Sequence, residues 1–523
     1  YTTLFRSQTI AAKMTDVPGH TRSIIDPMYD AGIRLLHVGI NSACPLPSVP
    51  TFCRWRSPSG NDLLLVYQKD YGEDEVLPDG KTVVSINFTG DNHGPHSYER
   101  VKKIYADLRK RYPQAQLVGA SFNDVARELL LIKKDLPVVT SEIGDTWIFG
   151  YGGAPIRMAK FRAVSRLYSQ WLNEGKIKKD SDVALDFAAE LGLIAEHTQG
   201  VDVKTHLRQW DKYDMDKFLK GRSEGVFSMA EASWKEIDNY IDSAIAFLPA
   251  SLQKEAREVV AEVDKVKLED NSKMKPMERK RWEQPIAGGM TLAGLSYQMF
   301  DGDDYDDFQN RYLRARYGWA LDDLGKRGLK ESHAVSVTLY AQTMAQSVRK
   351  EKKGTRIITE LRFPENEKVD KRVYPERIQV NCFTTKNGKR SEVALTIYGK
   401  PAVRLPESYW LSFTVPGIES VIAEKMGERV NLMDVVEKGN RQMHGIDRYV
   451  DLITSGETIR ISSKEAFLLN VGEAQGLNYS TNYPDKRKGV HFNLNNNLWG
   501  TNFSMWNEGS LTYHFVIETL NRK

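Results

Sequence analysis

The hydrophobic period changes twice along the chain, and no other feature restricts the fold as strongly. Over residues 8–160, short apolar runs alternate with amphipathic helical patterns. TIAAKM, IRLLHVGI, LLLVYQ, VVSINFTG, QLVGAS and LPVVTSEIG read as strands, and RSIIDPMYDAG, SYERVKKIYADLRKRYP and NDVARELLLIK as helices. Such alternation predicts a parallel α/β sheet or barrel. The next stretch, 161–270, keeps apolar spacing of three and four and predicts a helical bundle. From 285 to 523 the runs are short, β-branched and aromatic, as in RIQVNCFTT and LTYHFVIETL, and turn clusters such as KNGK separate them. That pattern predicts a β-sandwich. The segment NSKMKPMERKRWEQP (271–285) reads as the linker. DGDDYDDF (301–308) lacks the spacing and closing Glu of an EF-hand and reads as a solvated acidic loop. A chain of 523 residues exceeds what one core serves, which agrees with several domains.

Composition excludes more than it selects. The 73 basic and 69 acidic residues are well mixed, so the net charge of +4 gives no footprint for nucleic acid or an anionic membrane. No apolar run approaches the ~20 residues of a membrane span. The three cysteines, Cys44, Cys53 and Cys382, form no CxxC pair; Cys44 and Cys53 read as free thiols, with a loop-closing bridge as the alternative. Ten Trp suit sugar binding, because aromatic faces stack on the apolar faces of pyranose rings, although large cores account for them equally well. Residues 1–7, YTTLFRS, read as the translation of a sequencing adapter and are set aside. Compartment and oligomeric state carry no sequence signal.

Four stretches carry the chemistry. MTDVPGHT places Asp16 and His20 around a Pro-Gly corner after the first strand. FTGDNHGPHS brings Asp91, His93 and His96 close together. SEIGDTWIFGYGG carries Glu142, Asp145, Trp147 and Tyr151, and AEHTQGVD carries His197, Thr198 and Asp202. In α/β folds, loops after strand C-termini hold the active residues. Carboxylates there, with a remote His, suit a mixed Asp/His metal site or a nucleophile with an acid/base partner. Each stretch also has a plain structural reading: Asp-x-Pro-Gly is a common turn, His93 and His96 fit an exposed loop, and EIGDTW fits a strand end with a capping Asp.

Taken in order, MTDVPGHT, TGD, EIGDTW before GYGGAP, and LGLIAEHTQG resemble glycoside hydrolase family 38 α-mannosidases, and more closely a mannosidase-like set of the DUF5054 type. The resemblance implies a (β/α)7-type barrel, incomplete at its first strand, then a helical bundle and a large β domain. It implies that Asp16 is both nucleophile and metal ligand, that His197 is a second ligand, and that Asp91 is the acid/base, with Asp145 as second choice. It implies a divalent metal, zinc, and a carbohydrate substrate. His20, His93, His96, Trp147, Tyr151 and Thr198 are the expected substrate contacts. Two departures stand out. The family's His-x-Asp ligand motif does not precede Asp16, and Thr198 replaces an Asp beside the helix His. The expected activity is retaining hydrolysis of α-glycosidic bonds. The alternatives are a metal-dependent carbohydrate deacetylase and an inactive sugar-binding relative.

Overall fold

A computed structural model describes residues 8–90, 93–270, 272 and 274–520; residues 1–7, including the adapter-like stretch, and Asp91 lie outside them. The chain divides into two compact units, residues 1–147 with 434–439, and residues 148–433 with 440–523.

The first unit is built on a five-stranded sheet. Its strands are β1 (Ala11–Asp16), β2 (Leu35–Ile40), β3 (Phe52–Arg56), β4 (Asp62–Gln68) and β5 (Val138–Val139), in the order β1-β2-β4-β3-β5. β1, β2 and β4 run parallel, in register Asp16 to Ile40 and Leu35 to Leu64. β4 is buried along its whole length. Leu63, Leu65 and Tyr67 face one core with Trp55 and Ile25, while Leu64 and Val66 face another with Ala126 and Leu129. A strand covered on both faces reads as a continuous apolar run, which is why LLLVYQ is legible.

This sheet departs from the all-parallel expectation at β3, which pairs antiparallel with β4. The cause is covalent: residues 57–61 are too short for a parallel crossover, which takes a dozen or more residues, and form a tight turn instead. Ser57, Ser59 and Asn61 donate from that turn to Asp26 Oδ1 at 2.7–2.9 Å. Two expected strands also differ. Only Val83–Ser85 of VVSINFTG is a strand, in a small hairpin with Asp74–Val76. QLVGAS forms no strand: Val118 is 70% exposed, and no neighbouring backbone pairs with this stretch among the described residues. The helices Tyr98–Arg111 and Phe122–Leu131 form as the periodicity indicates.

In the second unit the helices Pro155–Asn173, Asp182–Gly192, Ser228–Ala246 and Ala250–Asp264 share a core that contains Trp171, Phe187, Ile241 and Ile245. Two antiparallel sheets follow, of seven and ten strands. Phe515 of the larger sheet meets Phe413 and Phe492 of the smaller at 5.4 and 5.1 Å between ring centroids, so the sheets pack face to face. The 271–285 stretch is partly built into these sheets through Lys275–Pro276 and Gln284–Pro285, and it buries Trp282.

The acidic stretch 301–308 is not a loop. Asp301 accepts from the backbone N–H of Asp303 and Asp304, and the Asp304 side chain accepts from Asp301 N, a reciprocal cap that starts helix Gly302–Tyr312. Tyr305, Phe308 and Tyr312 pack inward from it. All three cysteines are buried and unbridged. Among the described residues no helix is long and apolar enough to cross a membrane.

Candidate active site

The site of the first unit begins with the backbone of Asp16. It closes β1 with φ 90°, in the left-handed region that non-glycine residues seldom adopt. Such strain costs on the order of 1–3 kcal/mol and persists where the surroundings fix it. Here the Asp16 carbonyl accepts from Asn41 N at 2.8 Å. Its carboxylate Oδ1 accepts from Asn41 Nδ2 at 2.9 Å and from the Tyr71 hydroxyl at 2.5 Å. Asn41 follows β2 and Tyr71 follows β4, so three neighbouring parallel strands deliver their C-terminal ends to one carboxylate oxygen. The Asn41 amide is oriented by its own Oδ1, which accepts from Ala43 N at 3.0 Å.

Around this centre lie an aromatic ring and a buried polar chain. Phe88, 42% exposed, meets Tyr71 edge-on at 5.4 Å. The Lys13 ammonium lies 5.7 Å from the Phe88 ring centre, donates to Tyr71 O at 2.9 Å, and meets His37 Nδ1 at 3.0 Å. Burial lowers Lys13 to about 8 and His37 to about 4. A neutral His37 therefore accepts at Nδ1 from the ammonium and donates from Nε2 to Gln68 Oε1, 2.8 Å away.

The DVPGHT turn is fixed against the EIGDT segment. Tyr67 donates to Pro18 O at 2.8 Å, and His20 and Ile143 exchange backbone hydrogen bonds of 2.8 and 3.0 Å. Gly19 lies so close that a Cβ there would stand 2.8 Å from Asp145 Cβ. His20 is held neutral, burial lowering it to about 4. Glu142 accepts from Thr21 Oγ1 at 3.0 Å and from Arg22 N at 2.7 Å, which caps the turn. Asp145 is buried, and its Oδ1 accepts from Trp147 N at 3.0 Å, with Trp147 half-buried. His96 is half-buried with Nε2 3.0 Å from Asn87 O, and His93 is exposed beside Gly90.

The other expected residues belong to the second unit. His197 is not on a helix. The helix ends at Gly192, a single 3-10 turn covers Leu193–Ala195, and His197 lies two residues beyond it. Side chains take over the carbonyls that a further turn would have satisfied. Gln199 Nε2 donates to Ile194 O and Glu196 O at 2.8 and 2.9 Å, and the Tyr151 hydroxyl donates to Ala195 O and Glu196 O at 2.7 and 3.0 Å. Tyr151 thus pins the His197 loop, its ring edge-on to Phe503. Glu196 accepts from His197 N at 2.7 Å and also pairs with its Nδ1. Thr198 is exposed, and Asp202 caps a short helix through Lys204 N.

Asp16, His20 and Asp145 are thus assembled within the first unit, and Tyr151, His197 and Thr198 within the second. Among the described residues no three His, Cys, Asp or Glu side chains gather as a metal site. The described residues therefore do not make up the zinc donor set that the resemblance implies.

The whole chain aligns with an α-mannosidase from Enterococcus faecalis V583 at a TM-score of 0.54, 9% identity and 75% of that protein's length. The chain has the fold of an α-mannosidase. A glycosyl hydrolase family 38 protein from Enterococcus faecalis aligns over the whole chain and 74% of its own length, at 10% identity and a TM-score of 0.43. Residues 152–284 match DUF5054, described as a domain of unknown function. No curated protein matches in sequence. The fold likeness and the DUF5054 match agree with the mannosidase-like, DUF5054-type group that the sequence resembles.

Asn41, Tyr71, Phe88, Lys13 and His37 have no role in the sequence reading. The one available signal is position: Asn41 and Tyr71 stand just beyond apolar runs, where strand ends deliver active residues.

Proposed function

We propose that the protein is a glycoside hydrolase of the α-mannosidase type that cleaves α-glycosidic bonds of oligosaccharides or glycans with retention of configuration. The observation that carries this reading is the Asp16 carboxylate, held at a strained strand end by Tyr71 and Asn41 from the two neighbouring parallel strands. A carboxylate oriented in this way at that edge is suited to attack an anomeric carbon. In the first step a carboxylate oxygen of Asp16 bonds to that carbon while the bond to the leaving oxygen breaks. The leaving oxygen takes a proton from a second carboxyl, assigned to Asp91. In the second step Asp91 takes a proton from water, the water oxygen bonds to the anomeric carbon, and Asp16 is released. Two inversions give net retention, and the mechanism requires the two carboxyl groups roughly 5 Å apart. Phe88, exposed beside Tyr71, offers a face on which a sugar ring can stack.

The parallel β1-β2-β4 core supports reading the sheet as part of a (β/α)7-type barrel. The test is release of aryl alcohol from aryl α-mannosides and related α-glycosides. Turnover is expected in the parent protein and not in Asp16→Ala; equal rates in the two would overturn the assignment. Acetate release from acetylated sugars without new reducing ends would assign a deacetylase instead.

A further inference from the structure

A cavity in the second unit has Trp210, Tyr213, Asp322, Lys326, Arg327 and Arg404 in its lining and about 10 Å³ of internal space, room for a single water-sized occupant. Arg404 is only 2% exposed, and its guanidinium lies 4.1 Å from the Tyr213 ring centre and 5.1 Å from that of Phe227. Its Nη1 donates to Trp210 O at 3.3 Å, while its Nε has no hydrogen-bond partner among the described residues. Lys326, half-buried as a residue, donates from Nζ to Trp499 O at 2.9 Å. Among the described lining residues Asp322 supplies the one carboxylate, which faces Arg327 at 3.5 Å. A buried guanidinium and a half-buried lysine thus line one small space with carbonyls and aromatic rings, and among the described residues neither has an acidic ion-pair partner.

An uncompensated buried charge is costly, and carbonyl dipoles or a water molecule offset it only partly. The missing element is a negative charge. So small a space suits a monatomic ion better than a tetrahedral oxyanion. We propose that the cavity between Lys326 and Arg404 is a binding site for one small monovalent anion of chloride size. The carbonyl of Trp499 holds the ammonium, and the rings of Tyr213 and Phe227 hold the guanidinium. Burial first, and the Arg404 charge second, lower Lys326 to about 7. Asp322, Arg327, Tyr213 and, from farther off, Asp211 are the other ionisable groups around the pair. Only the protonated lysine supports an anion, so proton and anion binding reinforce each other.

The test uses the full chain. Its thermal midpoint is measured in sodium chloride and in sodium gluconate at matched ionic strength, at pH 6 and pH 9, and crystals soaked in bromide are examined by anomalous scattering. The expected result is a saturable rise in chloride that gluconate does not reproduce, with bromide in the cavity. Chloride affinity should fall by up to about a hundredfold between pH 6 and pH 9, because only the small protonated fraction of Lys326 binds at the higher pH. Both signals should vanish in Lys326→Met. Identical behaviour in the two salts, or a cavity without bromide, would overturn the proposal, and so would a chloride response that survives in Lys326→Met. If that variant does not fold, the bromide position and the pH dependence of the parent protein decide.

Discussion

Tyr71→Phe isolates the contact on which the reading of Asp16 depends. The substitution removes one oxygen and leaves the ring, which keeps its edge against Phe88 at 5.4 Å. What is lost is the 2.5 Å hydrogen bond to Asp16 Oδ1. A hydrogen bond to a charged group contributes about 1.5–3 kcal/mol. If that energy holds the nucleophile in its attacking orientation, kcat/KM falls by roughly 10- to 150-fold, at about 1.4 kcal/mol per tenfold. Asn41→Ala, which removes the 2.9 Å contact to the same oxygen, should cost a similar factor. The double variant should lose less than the product of the two, because both groups orient one carboxylate. The assay is the rate of aryl α-glycoside hydrolysis under kcat/KM conditions, with thermal midpoints recorded alongside. A Tyr71→Phe enzyme within twofold of the parent, when Asp16→Ala is inactive, would refute the positioning argument.

Three further outcomes follow from the same geometry. Phe88→Ala should raise KM by roughly 2- to 12-fold with kcat little changed, as expected for about 0.5–1.5 kcal/mol of ring contact; an unchanged KM would remove Phe88 from the substrate path. Gly19→Ala would place a Cβ 2.8 Å from Asp145 Cβ and 3.0 Å from Asp145 N, so the turn must shift, at about 1–3 kcal/mol in urea unfolding and with a fall in kcat; an unaltered unfolding curve would show that the two segments separate freely. Burial lowers His37 and His491 from an ordinary value near 6.5 to about 4, so the unfolded chain binds more protons between those limits. Stability complete above pH 6.5 should therefore be lost as the pH falls towards 4, and a thermal midpoint flat from pH 7 to 4.5 would contradict this.

The sequence shows the fold where one period dominates. Leu63 to Tyr67 announce a strand buried on both faces, and the helix Pro155–Asn173 follows its apolar spacing. FCRWR is harder to read. Phe52, Cys53 and Trp55 are buried, but Arg54 and Arg56 interrupt the run, and the strand exists because β4 and β5 flank it. QLVGAS has the composition of a strand but no partner to pair with among the described residues. Across 301–312 the acidic residues mask the helical spacing of Tyr305, Phe308 and Tyr312. The site divides in the same way. Asp16 is legible from its place after a strand, whereas its contacts with Asn41 and Tyr71 come from separate strands and exist only once the sheet has formed. His197 is legible as a residue, but its place beyond a helix end depends on Gln199 and Tyr151 taking the local carbonyls.

The central claim is that the Asp16 carboxylate forms a bond to the sugar. The direct measurement incubates the protein with a fluorinated glycosyl fluoride that slows release of the covalent intermediate, then maps the labelled peptide by mass spectrometry. The predicted result is one added glycosyl group on the peptide containing Asp16, abolished in Asp16→Asn. A label on Asp145 or another carboxylate, or turnover that inverts the anomeric centre with no labelled peptide, would contradict it.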